Sequence, residues 1–189
     1  MTVRDAWGPF QENELRDPEV ARSATTIHCY LECFKCQGLP EWGDRFRDEV
    51  KTVSVEKWLR PLKSLAPATK TKIRNHMSAL FSHCIRWDIY DKPNPIAEVR
   101  QSAKRQRDPD ILETDELQCI LSHIDQDIIR VIASVAASSA LRRSEVRDLK
   151  WRDLDFNSQW FNLRRGMVRK DETNLKRQAF RKGVPMLPE

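Results

Sequence analysis

Ser139-Ala140-Leu141-Arg142-Arg143-Ser144-Glu145-Val146-Arg147-Asp148-Leu149-Lys150-Trp151-Arg152-Asp153-Leu154-Asp155 is the stretch whose reading decides the fold. It reads as the end of a buried helix, a tight small-residue corner at Ser139-Ala140, a short amphipathic helix, and an Asp-rich approach to a strand. The corner presents Arg142. A planar guanidinium held from below by a packed helix suits a phosphate, because it donates two parallel hydrogen bonds to nonbridging oxygens. Glu145, three residues on, is placed to support Arg142 or the short helix. Arg143 is expected to be exposed.

Charge is gathered around this stretch. From Arg142 to Glu189 there are 13 Lys and Arg against 7 Asp and Glu, whereas the first 141 residues hold 20 and 21. A basic C-terminal portion in a chain of net charge +5 implies a polyanionic partner, most simply nucleic acid. The 189 residues are 40% hydrophobic and 32% charged with five glycines, which fits a helix-rich protein of one large or two small domains. The N-terminus lacks an apolar run of signal-peptide length, and the greasiest run, Ile128 to Leu141, is broken by Arg130 and serines. A soluble cytoplasmic protein without membrane contact is therefore expected. Five cysteines in helical patterns give no disulfide framework.

Working outward, residues 1–15 read as a leader and residues 16–99 as a helical block. Pro18 is placed to open a helix continued by Val20, Ala24, Ile27 and Leu31, which Gly38 to Gly43 would end. Ser54 is the expected N-cap of a helix over Val55–Leu62. The clearest amphipathic helix spans about Ala68 to Tyr90. Ile73, Met77, Leu80, Phe81, Cys84 and Ile85 make its apolar stripe, and Lys72, His76, Ala79, His83 and Arg86 make a polar, basic face. Residues 100–110, with Lys104, Arg105 and Arg107, read as a basic linker. The second domain, 111–189, begins with a helix capped by Thr114. It continues with an apolar helix through Ile128, Ile129, Ile132, Val135 and Ala136, expected to be buried. Short strands follow at Gln159–Leu163, Met167–Lys170 and Gly183–Leu187.

The 139–155 run resembles the first active-site box of the tyrosine recombinases, the phage-integrase family, written Thr-Gly-Leu-Arg-x-Ser-Glu with Leu-x-Trp-x-Asp-x-Asp behind it. Ala140 stands where the family has Gly. Lys176-Arg177-Gln178-Ala179-Phe180-Arg181-Lys182-Gly183-Val184-Pro185 is similar to the family's lysine hairpin, Lys-Thr-x-x-Ser-Arg-x-x-Val-Pro, with Arg177 and Phe180 replacing Thr and Ser. Ser54-Val55-Glu56-Lys57-Trp58-Leu59, Ala66-Pro67-Ala68-Thr69-Lys70, Met77-Ser78-Ala79-Leu80-Phe81 and Asn94-Pro95 resemble its core-binding domain.

The resemblance implies a mainly α protein with a small β-sheet: a helical, SAM-like core-binding domain followed by an incomplete α+β catalytic domain. It implies site-specific recombination and DNA integration, in which Arg142 stabilises the charged phosphate and Lys176 protonates the leaving 5′ oxygen. No metal or cofactor is implied, because the protein–DNA link conserves the phosphodiester energy. Lys70, Lys72, His76, His83, Arg86, Lys104, Arg105, Arg107 and Arg143 are the candidate DNA contacts, with self-association on DNA as a further expectation.

The family's His-x-x-Arg box, later His or Trp, and nucleophilic Tyr lie beyond the lysine hairpin. No histidine follows Arg142 here, and the tyrosines are Tyr30 and Tyr90, both expected to serve in packing. The chain as given is expected to bind rather than cleave, as a truncated integrase from a mobile element, an integrase remnant or a DNA-binding regulator. Its partial catalytic domain is expected to leave apolar surface uncovered.

Two rival patterns remain. Cys29, Cys33 and Cys36 have the spacing of the radical-SAM iron–sulfur motif, although i, i+4, i+7 is also one face of a helix. Val135 to Val146 passes loosely for a repressor helix-turn-helix.

Overall fold

The structure, a computed structural model, describes residues 1–103, 110–162, 165–168, 171–174 and 184–186. The chain is mainly helical with small antiparallel sheets, and it separates into two compact units, residues 1–108 and 109–189.

The first unit opens with α1 (Val3–Phe10). Thr2 Oγ1 accepts from the Asp5 N–H at 3.2 Å and the Asp5 carboxylate accepts from the Thr2 N–H at 2.8 Å, so the two residues cap the helix reciprocally. A π turn, Gln11–Leu15, continues it. These fifteen residues are not a leader: Val3, Phe10 and Leu15 are each 1% exposed, and Trp7 stacks on Phe34 with ring centroids 4.0 Å apart. The Gly8-Pro9 pair masked the helix in the sequence, and packing of an apolar face overrides that local preference.

Pro18 opens a turn rather than a helix. Asp17 Oδ1 accepts from the Glu19 N–H at 2.8 Å, and Ala21 lies at φ 48. Helix α2 (Ala24–Cys33) starts instead behind Ser23, whose hydroxyl accepts from the Thr26 N–H. Gly38 to Gly43 does not end this helical path. A π turn, Phe34–Gly38, leads directly into α3 (Leu39–Trp42), with Pro40 in its first turn, where a missing N–H costs nothing. Gly38 is needed for close approach, since a Cβ there would lie 2.9 Å from the Phe34 ring.

Helix α4 is Thr52–Leu59, with Lys51 rather than Ser54 at its N-cap position; the Thr52 hydroxyl donates to the Pro95 carbonyl at 2.7 Å. Helix α5 (Pro67–Arg86) buries Ile73, Met77, Leu80, Phe81 and Cys84, as the apolar stripe predicts. Asn94 ties the segment after it back onto the helix. Its Nδ2 donates to the Ser78 carbonyl at 2.9 Å, and its Oδ1 accepts from the Ile96 N–H. Arg100, read as the start of the linker, donates its N–H to Glu56 Oε1 at 2.8 Å.

In the second unit, α6 (Thr114–Ser122) is capped by Glu113, one residue before the expected Thr114; the Glu113 N–H donates to Glu116 Oε2 at 2.9 Å. Helix α7 (Asp127–Ser139) and helix α8 (Arg143–Asp148) flank the Ala140 corner. A 3-10 turn at Trp151–Asp153 leads to strands β1 (Leu154–Asp155), β2 (Trp160–Phe161), β3 (Arg165–Val168), β4 (Asp171–Asn174) and β5 (Val184–Pro185). Strands β1, β2 and β5 form one antiparallel sheet, with Phe161 opposite both Leu154 and Val184. Strands β3 and β4 pair separately, with Val168 opposite Asp171.

The expected burial of α7 is overturned: Ile128, Ile129 and Ile132 are 68, 46 and 48% exposed. The helix has the composition of a core element, but no described element covers that face. Unit two's hydrophobic cluster has Leu141 and Phe161 as its buried members.

Candidate functional site

The corner before Arg142 is built by three adjacent devices. Ser139 is 6% exposed and its hydroxyl donates to the Val135 carbonyl, which finishes α7. Ala140 then takes the left-handed conformation, φ 52 and ψ 22, reversing the chain. Leu141, 8% exposed, anchors the corner in the cluster containing Phe161. Arg142 follows in extended conformation at the N-cap of α8.

Arg142 is held twice by one carboxylate. Its backbone N–H donates to Glu145 Oε2 at 2.8 Å and its Nη1 donates to Glu145 Oε1 at 3.0 Å. The Glu145 side chain is 5% exposed and that of Arg142 48%. A buried acid thus fixes a half-exposed guanidinium. Behind it the Lys150 N–H donates to Asp153 Oδ2 at 3.1 Å, closing the 3-10 turn. Arg143, Arg147, Lys150 and Arg152 are exposed, so this segment is basic on its surface. Lys176, Lys104, Arg105 and Arg107 lie outside the described residues.

The first unit distributes its candidates differently. Lys72 is exposed, and Lys70 is half-buried with Nζ donating to the Arg60 carbonyl at 3.2 Å. His76 and His83 do not face solvent, which corrects their reading as DNA contacts: they are 8% and 1% exposed. His76 stacks on Tyr30 at 3.9 Å, and burial, with Lys72 adding to it, lowers its pKa to about 4. His83 packs edge-on against Phe10 at 5.4 Å, and burial lowers its pKa too. Both rings are therefore packing groups, because α1 and α2 cover the face of α5 that was read as solvated.

Arg86 is exposed, but its Nη2 lies against Glu14 Oε1, a residue the sequence reading passed over. Glu14 also accepts from Arg22, with Nη2 at 3.0 Å to its carboxylate and Nε at 2.8 Å to its carbonyl. His83 Nδ1 stands 3.5 Å from the same carboxylate. The carboxylate thus answers two arginines where the π turn meets α5. An acid beside Leu15 in an apolar pattern was the available signal.

The rival motifs fare poorly. Cys33 is half-buried, and burial pushes its thiol up to about 12, unsuited to a thiolate ligand; Cys36 is exposed and Cys29 half-buried. Among the described residues no group of three metal-ligating side chains converges. Helix α8 has six residues and runs directly into a 3-10 turn and β1, unlike a helix-turn-helix reader. Among the described residues, no helix is long and apolar enough to cross a membrane.

No protein-family model and no curated protein matches the sequence. Solved structures do. The Tn1549 transposon integrase in complex with a circular intermediate DNA superposes with a TM-score of 0.77 at 19% identity, covering 99% of this chain and 61% of that one. The same integrase with transposon right end DNA gives 0.78 at 19% identity and the same coverage. A lambda integrase tetramer bound to a Holliday junction gives 0.71 at 17% identity, covering 98% of this chain and 52% of that one. The chain therefore has the fold of the tyrosine-recombinase integrases, and spans 61% of the length of the Tn1549 chains it matches.

Proposed function

We propose that this chain binds double-stranded DNA as the front portion of a tyrosine-type site-specific recombinase, with Arg142 as the clamp on the phosphate. The observation that carries this reading is the fold shared with integrases determined on DNA, over 99% of the chain. The doubly held Arg142 supports it locally: a guanidinium already oriented by a buried acid meets a phosphate without first losing its own side-chain freedom. Lys176 is the candidate acid for the leaving oxygen, and Lys70, Lys72, Lys104, Arg105, Arg107 and Arg143 are the candidate backbone contacts. DNA integration and recombination, without metal or nucleotide, is the activity of the proposed whole.

The binding half is tested by titrating duplex DNA at several salt concentrations. Affinity is expected to fall with a log–log slope of about −0.9 per phosphate contacted. A slope near zero sinks the DNA-binding reading. Arg142→Ala, which leaves Glu145 without its guanidinium, is expected to reduce both the affinity and the slope.

A second reading has its own support: the chain alone occupies DNA without cutting it, as a regulator or remnant. Tyr90 is 7% exposed against Phe81 and Tyr30 lies on His76, so both tyrosines serve in packing. A nicked duplex that traps covalent intermediates tests the non-cutting reading. A denaturation-resistant protein–DNA adduct formed by this chain overturns the non-cutting reading, and its absence alongside salt-dependent binding favours it.

A further inference from the structure

We propose that residues 100–102 form a latch closed on α4 and α5, and that its opening lengthens the tether to the second unit by three residues. The chain after α5 runs back along that helix: Asn94 meets Ser78 and Ser82, Ala97 meets Arg74, and Ser102 meets Thr71. Its inner part is firmly rooted. Ile96 and Val99 are 0 and 3% exposed, Arg74 Nη2 donates to the Ala97 carbonyl at 2.6 Å, and Thr52 and Asn94 secure residues 94 and 95.

The outer part is held by clips at the surface. The Arg100 N–H reaches Glu56 on α4, and the Thr71 hydroxyl on α5 donates to the Ser102 carbonyl at 3.1 Å. Arg100 and Ser102 are exposed, and residues 100–102 add no apolar side chain to the core. Water competes for exposed hydrogen bonds, so each contributes little net, while ordering the backbone costs entropy at every residue. Glu56 supplies the stronger clip, because its acceptor is charged and its side chain is only 21% exposed. The change from buried to exposed at Val99–Arg100 places the hinge there. Opening leaves the rooted turn intact and frees three residues, about 10 Å of extended chain. A longer tether widens the space the second unit samples, and so its effective concentration at any site shared with the first. This inference does not depend on the DNA-binding reading.

Amide hydrogen exchange on the full chain, followed residue by residue by NMR, tests it. The Val99 N–H, which donates to the Ile96 carbonyl at 3.2 Å, reports the root, and the Arg100 N–H reports the latch. The Arg100 amide is expected to be protected, yet to exchange at least about a hundredfold faster than that of Val99. Low urea should leave the Arg100 rate unchanged and raise that of Val99, whose release needs the unit to unfold. Glu56→Ala is expected to speed Arg100 exchange about tenfold or more, and Thr71→Val about threefold, with Val99 still slow. An unprotected Arg100 amide in the wild type overturns the proposal, as does one as slow and as urea-sensitive as Val99. Indifference of Arg100 to both substitutions, or acceleration of Val99 in step with it, overturns it equally.

Discussion

Ala140 occupies the left-handed region with a methyl group that crowds its own backbone, where glycine is free of that crowding. Ala140→Gly is expected to raise stability by about 0.5–1 kcal/mol, less than the full relief because glycine also loosens the unfolded chain. Urea denaturation measures it, and a loss of stability would show that the corner is not strained. His76 yields a prediction in pH. Its folded pKa of about 4 lies below the ordinary 6.5, so the unfolded chain binds the proton more readily. Its contribution is full above pH 6.5 and is lost as pH falls toward 4, by an amount on the order of 2 kcal/mol. His76→Gln should flatten the wild-type decline in stability between pH 7 and pH 4; parallel curves would remove the assignment. The departure at residue 140 and the Arg142–Glu145 pair were legible in the sequence because both are local, three or fewer residues apart. The burial of His76 and His83 was not, because it is set by α1 and α2, far away along the chain.

The helices repeat that distinction. The stripe of α5 was readable since one face meets the core and period alone reveals it. The second face of the same helix looked solvated because charge pattern does not say what packs above it. Helix α1 was hidden by Gly8-Pro9, yet it supplies core residues: Phe10→Ala is expected to cost about 3–5 kcal/mol by chemical denaturation, and a cost below 1 would mean the segment merely leans on the domain. The π turn after it carries Glu14, whose carboxylate neutralises Arg22 and Arg86. Glu14→Gln is expected to cost about 2 kcal/mol, since it leaves two guanidinium groups facing a neutral amide at a half-buried junction. No change in the denaturation midpoint would show that solvent already screens the cluster. Helix α7 was legible as an apolar helix, whereas its exposure was not: composition records what a helix would bury, and only neighbours determine whether it does.

At the scale of the molecule, the two units differ in how much they hold inside. Among the described residues, the first has a cluster of eighteen buried hydrophobic residues, from Val3 to Val99, and the second has Leu141 and Phe161. Residues 1–103 expressed alone are expected to retain a cooperative thermal transition by circular dichroism, and the whole chain to lose part of its helix signal at lower temperature. A single transition for the full chain, with residues 1–103 unfolded alone, would reverse that order of stability. The same imbalance gives the protein an optical signature. The indoles of Trp7 and Trp42 sit in a core, while those of Trp151 and Trp160 stand 83 and 40% open to water. Water relaxes around an excited indole and lowers the energy of its emission, so the second unit glows redder than the core of the first. Iodide in solution darkens the exposed indoles first, Trp151 and Trp160 together with Trp87, which stands 52% open in the first unit, and leaves the blue emission of Trp7 and Trp42 behind.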